Sequence, residues 1–408
     1  MTTSQPIPSS SSSGLPSSPG QQRQPALPSE GGQQRWSGKQ RQPRLPTTAV
    51  AGLAILASLA LATTGCRSHA KMRYEEQSQT SMPLAPQTTL LVENSRGSVR
   101  LEPGDSGTVR IEANKRAYAF SEREAKKLAA EVSVSVDRVG GRMEVHVEYP
   151  PRSVSRHTHV EVFGEDVTRR RAEVDLVVYV PTGTPTRVET RSADLTVDGT
   201  SGPLEFGTTS GDVDIEKHAG TISVRSTSGD LSGKQVEGDL DMSTTSGDME
   251  VEHVGGTLRF DSTSGDLEAT DVDGSVTVRT VSGDVVTRRA GGAVLVTTTS
   301  GDVSVKNVPG DVTIRTASGD VTTAVISAMK HIAIVTTSGG VNLTLPDPLM
   351  GKLDVHTSSG EVEAKVRMQL EASPTRRQLV ASLGPGDAMT TVQTSSGDIS
   401  ISQGGEKQ

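Results

Sequence analysis

From Gly202 to Gly319 a glycine recurs every ninth residue, and the residue two places after it is apolar fourteen times running: Leu204, Val213, Ile222, Leu231, Leu240, Met249, Leu258, Leu267, Val276, Val285, Val294, Val303, Val312 and Val321. The fourth place is usually apolar too, as in Ile215, Val224, Val251, Phe260, Val278, Val305 and Ile314, while the first, third and fifth are mostly polar or charged. Alternation over so few residues is the period of one short strand with one buried face. The glycine supplies the left-handed or tight backbone of the turn between strands. Each nine-residue half-repeat is thus predicted to be a strand plus a turn.

Every second glycine lies inside a Ser-Gly-Asp triplet, from Ser210-Gly211-Asp212 through Ser318-Gly319-Asp320, so the full repeat is eighteen residues. A strict period of this length marks a repeat architecture. The predicted fold is all-β, a β-solenoid of 18-residue coils with two strands per coil, stacked at about 4.8 Å. The period stretches near the C-terminus, where Ser338-Gly339-Gly340 and Ser359-Gly360-Glu361 follow at wider spacing and Ser395-Ser396-Gly397-Asp398-Ile399 is a last copy. Pro346, Pro348 and the insert Arg367 to Ala388 are expected to bend and cap the array.

Upstream the grammar is less regular. Residues 192–403 are read as the regular solenoid with an irregular C-terminal cap, and 88–191 as an irregular β-rich section. One short helix interrupts that section: Ser121-Glu122-Arg123-Glu124 is a capping box, followed by the apolar stripe Ala125, Leu128, Ala129 and Val132. Residues 67–87, polar with Pro83 and Pro86, are expected to be a tether. Residues 1–48 are rich in Ser, Pro and Gln and are expected to be disordered.

Composition supports a thin core. Aromatics are 2% and hydrophobics 33%, too lean for several conventional cores but suited to a solenoid. Residues 1–48 carry five basic residues against Glu30, a charge of +4, so of the total of −8 residues 67–408 hold −12. An acidic body lacks the footprint of a nucleic-acid partner and excludes that class.

The single cysteine, Cys66, permits no internal disulfide. It closes residues 49–66, whose uncharged run centred on Leu53-Ala54-Ile55-Leu56 and Leu59-Ala60-Leu61-Ala62 is short for a membrane span and suited to a signal-peptide core. The ending Thr63-Thr64-Gly65-Cys66 resembles the bacterial lipobox, with Thr63 standing in for the usual leucine. That resemblance implies diacylglycerol on the Cys66 thiol and a lipid anchor in a bacterial membrane.

Several segments resemble one bacterial family of unknown function. They are the opening Asn94-Ser95-Arg96-Gly97-Ser98-Val99, the strand Val177-Val178-Tyr179-Val180-Pro181, the tandem triplets and the ending Thr394-Ser395-Ser396-Gly397-Asp398-Ile399. Members of that family are labelled "putative adhesins" with β-strand repeats. Over residues 88–403 the resemblance implies an envelope-associated β-solenoid with no established enzymatic activity.

Candidate chemistry is sparse. Asp194 begins a row continued by Asp212, Asp230, Asp248, Asp266, Asp284, Asp302 and Asp320, which stacking would repeat up one edge at about 4.8 Å. Like charges at that spacing repel, and a row of cations is one solution. The calcium-binding nonapeptide roll, however, repeats Gly-Gly-x-Gly-x-Asp on both edges, and here the second turn has only Asp239 and Asp311. The alternative is a structural row bonded to local amides. His218 and His253 are expected at the surface, His157-Thr158-His159 offers two imidazoles without a third ligand, and Arg169-Arg170-Arg171 reads as a solvated charge run. No serine has a histidine base at a matching step, so no catalytic residue and no cofactor are expected.

The expected function is a non-enzymatic cell-envelope lipoprotein acting as a binding or scaffold surface. Its partner would be an envelope protein or polysaccharide, and its membrane contact the lipid anchor. An envelope-stress signalling module and a carbohydrate-active β-helix enzyme are the alternatives. The second is disfavoured by an array whose only aromatics from Ala193 onward are Phe206 and Phe260.

Overall fold

The glycine-to-glycine segments become strands of two alternating lengths. Leu204–Gly207, Ile222–Arg225, Leu240–Ser243 and Leu258–Asp261 have four residues, while Val213–His218, Leu231–Val236 and Met249–Val254 have six. The computed structural model describes residues 72–150, 171–326, 331–348 and 350–404. Each strand pairs in parallel with its equivalent eighteen residues on, Ile222 with Leu240 and Leu231 with Met249. The predicted solenoid is therefore the observed fold: two parallel sheets share one aliphatic interior. Inward residues such as Leu231, Leu240, Met249, Val251, Leu258 and Phe260 are buried. Each such side chain contributes about 1.5–3 kcal/mol on burial, so a coil is stabilised by a handful of aliphatics from each sheet.

The longer strands carry a third inward residue, Val236, Val254, Val272, Ala290 or Val308. Just before it sits a left-handed non-glycine residue: Lys217, Gln235, His253, Asp271, Arg289 or Asn307, with φ of 55–60°. The left-handed bend therefore falls late in the longer strand, away from the repeating glycines.

At the N-terminal end the strand Thr89–Gly104 crosses both sheets and pairs in parallel with Thr186–Asp198 over Leu90 to Leu101. Its outer side takes Arg142–Glu148 and Arg171–Pro181, both still parallel. Beyond these the direction reverses. Ser133–Val139 lies antiparallel on one sheet, and Thr108–Ala119 followed by Met72–Pro83 on the other. Among the described residues, antiparallel strands close the repeat stack at this end. The predicted helix forms over Glu122–Ala130, with Ser121 Oγ accepting from the Glu124 amide at 3.3 Å. Ala125 and Ala129 pack against Ala117 and Ala119.

The expected tether at 67–87 is corrected here. Met72–Pro83 is a strand, paired residue for residue with Thr108–Ala119. Its polar composition suits an edge strand, whose charges discourage further pairing, and hides the alternation that marks an inner one.

The family-like opening at Asn94 is a corner. Buried Asn94 donates through Nδ2 to the Val174 carbonyl at 2.8 Å, and the Tyr149 hydroxyl donates to the Arg96 carbonyl at 2.6 Å. Burial holds the Tyr149 phenol well above its usual range.

At the C-terminal end chain order and stack order part. The coil that follows His331–Ser338 and Val341–Leu345 in space is Ala388–Ser396 with Ile399–Gln403. The strands Gly351–Ser359 and Val362–Lys365 lie outside that coil. Gln378–Gly384 then runs antiparallel on Gly351–Ser359, and Gln369–Leu370 finishes the sheet. The insert Arg367 to Ala388 thus supplies the outermost strands of this sheet, and the last copy is an internal coil.

His218 is the second correction. It is 2% exposed, in the column that later coils fill with valine or alanine. Its Nε2 donates to the Gly202 carbonyl at 2.9 Å, and Nδ1 accepts from the Thr200 hydroxyl at 2.9 Å. The residues around it, Leu101, Val180, Thr184, Thr186, Thr200, Pro203 and Leu204, include no charge. Burial lowers its pKa from 6.5, partly offset by the carbonyl bond. The native state therefore disfavours the proton, and stability present above about pH 6.5 is lost as pH falls toward the depressed value. Stability measured by urea at pH 8 and pH 5 should fall with acid in the native chain, and the fall should be smaller in His218→Val. An equal fall in both would remove His218 from the acid response.

Candidate binding edge

The Ser-Gly-Asp triplets stack into one straight edge. Ser228, Ser246, Ser264, Ser282, Ser300, Ser318 and Ser338 bridge in parallel, each to the next. The glycine between serine and aspartate is required by close approach. A Cβ on Gly229, Gly247, Gly265 or Gly283 would lie 2.0–2.3 Å from the carbonyl oxygen of the preceding glycine in the column. At Gly301, Gly319 and Gly339 the backbone also has φ of 137–143°.

The carboxylate of the aspartate following each glycine reaches one coil forward along the stack's hydrogen-bond direction. The amides of Asp230, Asp248, Asp266, Asp284, Asp302 and Asp320 donate to Oδ1 of the aspartate eighteen residues earlier, at 3.1 Å for the first and 2.8–2.9 Å for the rest. Asp194 begins the ladder by accepting from the Asp212 amide at 3.2 Å, and Asp320 accepts from the Gly340 amide at 2.7 Å. The amides that these carboxylates bond come from the neighbouring coil and are not local ones. Each of these aspartates is exposed.

Two files of hydroxyls run beside the carboxylates: the bridging serines and the exposed Thr209, Thr227, Thr245, Thr263 and Thr299. Val281 interrupts the threonine file and is 49% exposed. The edge is therefore a flat, repeating lattice of hydroxyl and carboxylate groups, with about 4.8 Å between ranks.

Removing one carboxylate tests the ladder. Asp248→Ala deletes an exposed charge-assisted bond and should cost about 1 kcal/mol or less. Asp248→Asn keeps the acceptor and removes repulsion from its neighbours, so it should match or exceed the native chain in a low-salt melt. Equal destabilisation by both would show that charge, and not the acceptor, matters.

The other corners are balanced. Asp239 accepts from the Thr257 amide at 2.7 Å and from its hydroxyl at 2.9 Å, which lowers its pKa. Exposed His253 lies 3.4 Å from Asp271, whose carboxylate is held low by its bond from Arg289. Arg171 pairs with Glu173. A notch of about 280 Å³ beside Gly207 is lined by Arg187, Glu189, Glu205 and Arg225, and Arg187 already pairs with both glutamates. It holds no nucleophile with an oriented base. Among the described residues no group of three or more His, Cys, Asp or Glu could hold a metal ion. Cys66, His157, His159, Arg169 and Arg170 lie outside the described residues, as do the segments 1–48 and 49–66.

These features define a parallel β-solenoid whose repeats build an edge of hydrogen-bonding groups. The chain belongs to the Toastrack DUF4097 family, whose model matches residues 90–294 and 292–402. Solved structures similar to it include a putative cell adhesion protein from Clostridium sporogenes, 11% identical, covering 81% of this chain and 100% of that one with a TM-score of 0.18. Another is a putative adhesin from Parabacteroides merdae, 11% identical over 66% of this chain and 96% of that one, with a TM-score of 0.29. A putative lipid binding protein from Parabacteroides distasonis is 11% identical over 80% and 96%, with a TM-score of 0.29. None of the curated proteins matches the chain.

Proposed function

We propose that the protein is a non-enzymatic binding solenoid of the bacterial envelope, held to a membrane by a lipid on Cys66, and that it binds an envelope polysaccharide along the Ser-Gly-Asp edge. The observation that carries this reading is the repeating register of exposed serine hydroxyls and carboxylates along the coils. A repeating hydrogen-bonding polymer can meet such a lattice rank after rank, and many weak contacts on one rigid support add up through effective concentration. A compact protein partner would more naturally require an apolar hot spot, and the edge has no aromatic residue.

The test uses the full chain. Cys66→Ala should release the protein from sedimented membranes, and unchanged fractionation would refute the anchor. Independently, Thr209, Thr227, Thr245, Thr263 and Thr299 can be replaced together by alanine, since all are exposed. Co-sedimentation with purified envelope polysaccharide should fall at least tenfold while the thermal melt is unchanged. Native-like binding by that variant would eliminate the edge as the contact.

A further inference from the structure

We infer that the tip of the domain formed by Met72 and Phe120 rests on the bilayer surface, so that the protein lies against its membrane instead of standing off on a stalk. This rests on the lipid anchor proposed at Cys66.

Met72 is the first residue of its strand and is paired with Ala119, the last residue of the neighbouring strand. Phe120 follows directly, so the two side chains share one end of the sheet. They are 45% and 59% exposed, and Phe120 is the most exposed large apolar residue among those described. Behind them Tyr74 is half-buried, with the Lys126 ammonium 6.0 Å from its ring centroid. Apolar and aromatic side chains backed by lysine or arginine are the residues that sit well at a membrane–water interface.

Charge at this tip is balanced. Arg73, Arg123, Lys126, Lys127 and Arg171 stand near Glu75, Glu122, Glu124 and Glu173, and both Arg73 and Arg171 have glutamate partners. Attraction to anionic lipid is therefore weak, and insertion of apolar surface is what the tip offers.

Chain length places the tip at the membrane. Only residues 67–71 separate Cys66 from Met72. At about 3.3–3.6 Å per residue, Met72 stays within roughly 20 Å of the anchored thiol even at full stretch. A tether running to residue 87 would have left the domain free; the strand that begins at Met72 removes that freedom.

The pairing also fixes a side. Glu76, Lys115, Val174, Gly97 and Ala193 align across the strands with the column of edge glycines that continues at Gly211. Met72 lies four residues beyond that line, on the side of the Ser-Gly-Asp edge. With the tip on the bilayer, the edge is turned toward the membrane side of the protein.

The test places a tryptophan at the tip by Phe120→Trp in a Trp36→Phe background of the full, lipidated chain. The protein is reconstituted in phosphatidylcholine vesicles with and without brominated acyl chains. Emission from position 120 should shift to the blue and be quenched at least twofold by brominated lipid, and Val139→Trp, exposed and aligned through Arg142 and Thr89 with the opposite turn, should show neither. Quenching should persist at high salt. If intact mass shows diacylglycerol on Cys66 and position 120 remains unquenched, docking is overturned and the anchor stands. If the mass shows no lipid on Cys66, the anchor fails and docking fails with it.

Discussion

Gly265→Ala should lower stability by at least about 3 kcal/mol, whereas Gly233→Ala should raise it by roughly 0.5–1 kcal/mol. The two substitutions add the same methyl group to neighbouring regions of one array. At Gly265 the new Cβ would lie 2.1 Å from the Gly247 carbonyl oxygen, a backbone atom. The coils cannot move apart there, because Met249 donates to the Asp266 carbonyl and Leu267 to the Asp284 carbonyl, both at 2.9 Å. Relief requires breaking the ladder on at least one side. Gly233 instead sits at an inward strand position, paired between Ile215 and Val251, without a left-handed backbone. Its Cβ would meet only side chains, with Val251 Cγ1 nearest at 3.2 Å, and Ala269 already fits in the same column. Urea unfolding with comparison of midpoints and slopes measures both changes. A Gly265→Ala protein within about 0.5 kcal/mol of the native chain would sink the close-packing account of the edge.

Deleting residues 387–408 should unfold the end of the stack within 331–386, leaving the N-terminal coils folded. In a solenoid built in chain order, removing the last strands costs one terminal coil, because each repeat touches only its neighbours. Here Ala388–Ser396 and Ile399–Gln403 lie between two earlier coils. Their loss would strand Gly351–Ser359 and its cap without a partner, and would expose the stack end at Ile332, Ile334, Val341 and Leu343, all now buried. Two strand edges and an open core end would appear at once, a template for aggregation. Limited proteolysis should cut the deleted protein within 331–386, where the full chain is resistant. Equal resistance in both would contradict the inserted coil. The same order implies that the cap closes only after the last strand has been made.

Much of the fold was legible because glycine spacing, apolar alternation and the eighteen-residue period all report the same local event. The helix was legible from its capping box for the same reason. The polar edge strand Met72–Pro83 was not, since the signal of an inner strand is burial of alternate residues and, among the described residues, this strand has a partner on one side alone. His218 was misplaced because its neighbours in sequence, Lys217 and Glu216, are exposed and carry charge. What buries it is a register eighteen residues long that puts it between Thr200 and Val236. The aspartate row was visible as a row, but its bonding partners were not, since they come from the next coil.

The sequence by itself determined the class of fold, the coil length, the inward residues and the single chemically distinctive edge, because each depends on contacts that repeat with the chain. The tertiary structure alone decided why glycine stands at that edge, which amides the aspartates accept from, where the first strand begins and which coil is last. These depend on backbones meeting from distant parts of the chain, and a periodic pattern carries no record of the order in which its copies stack.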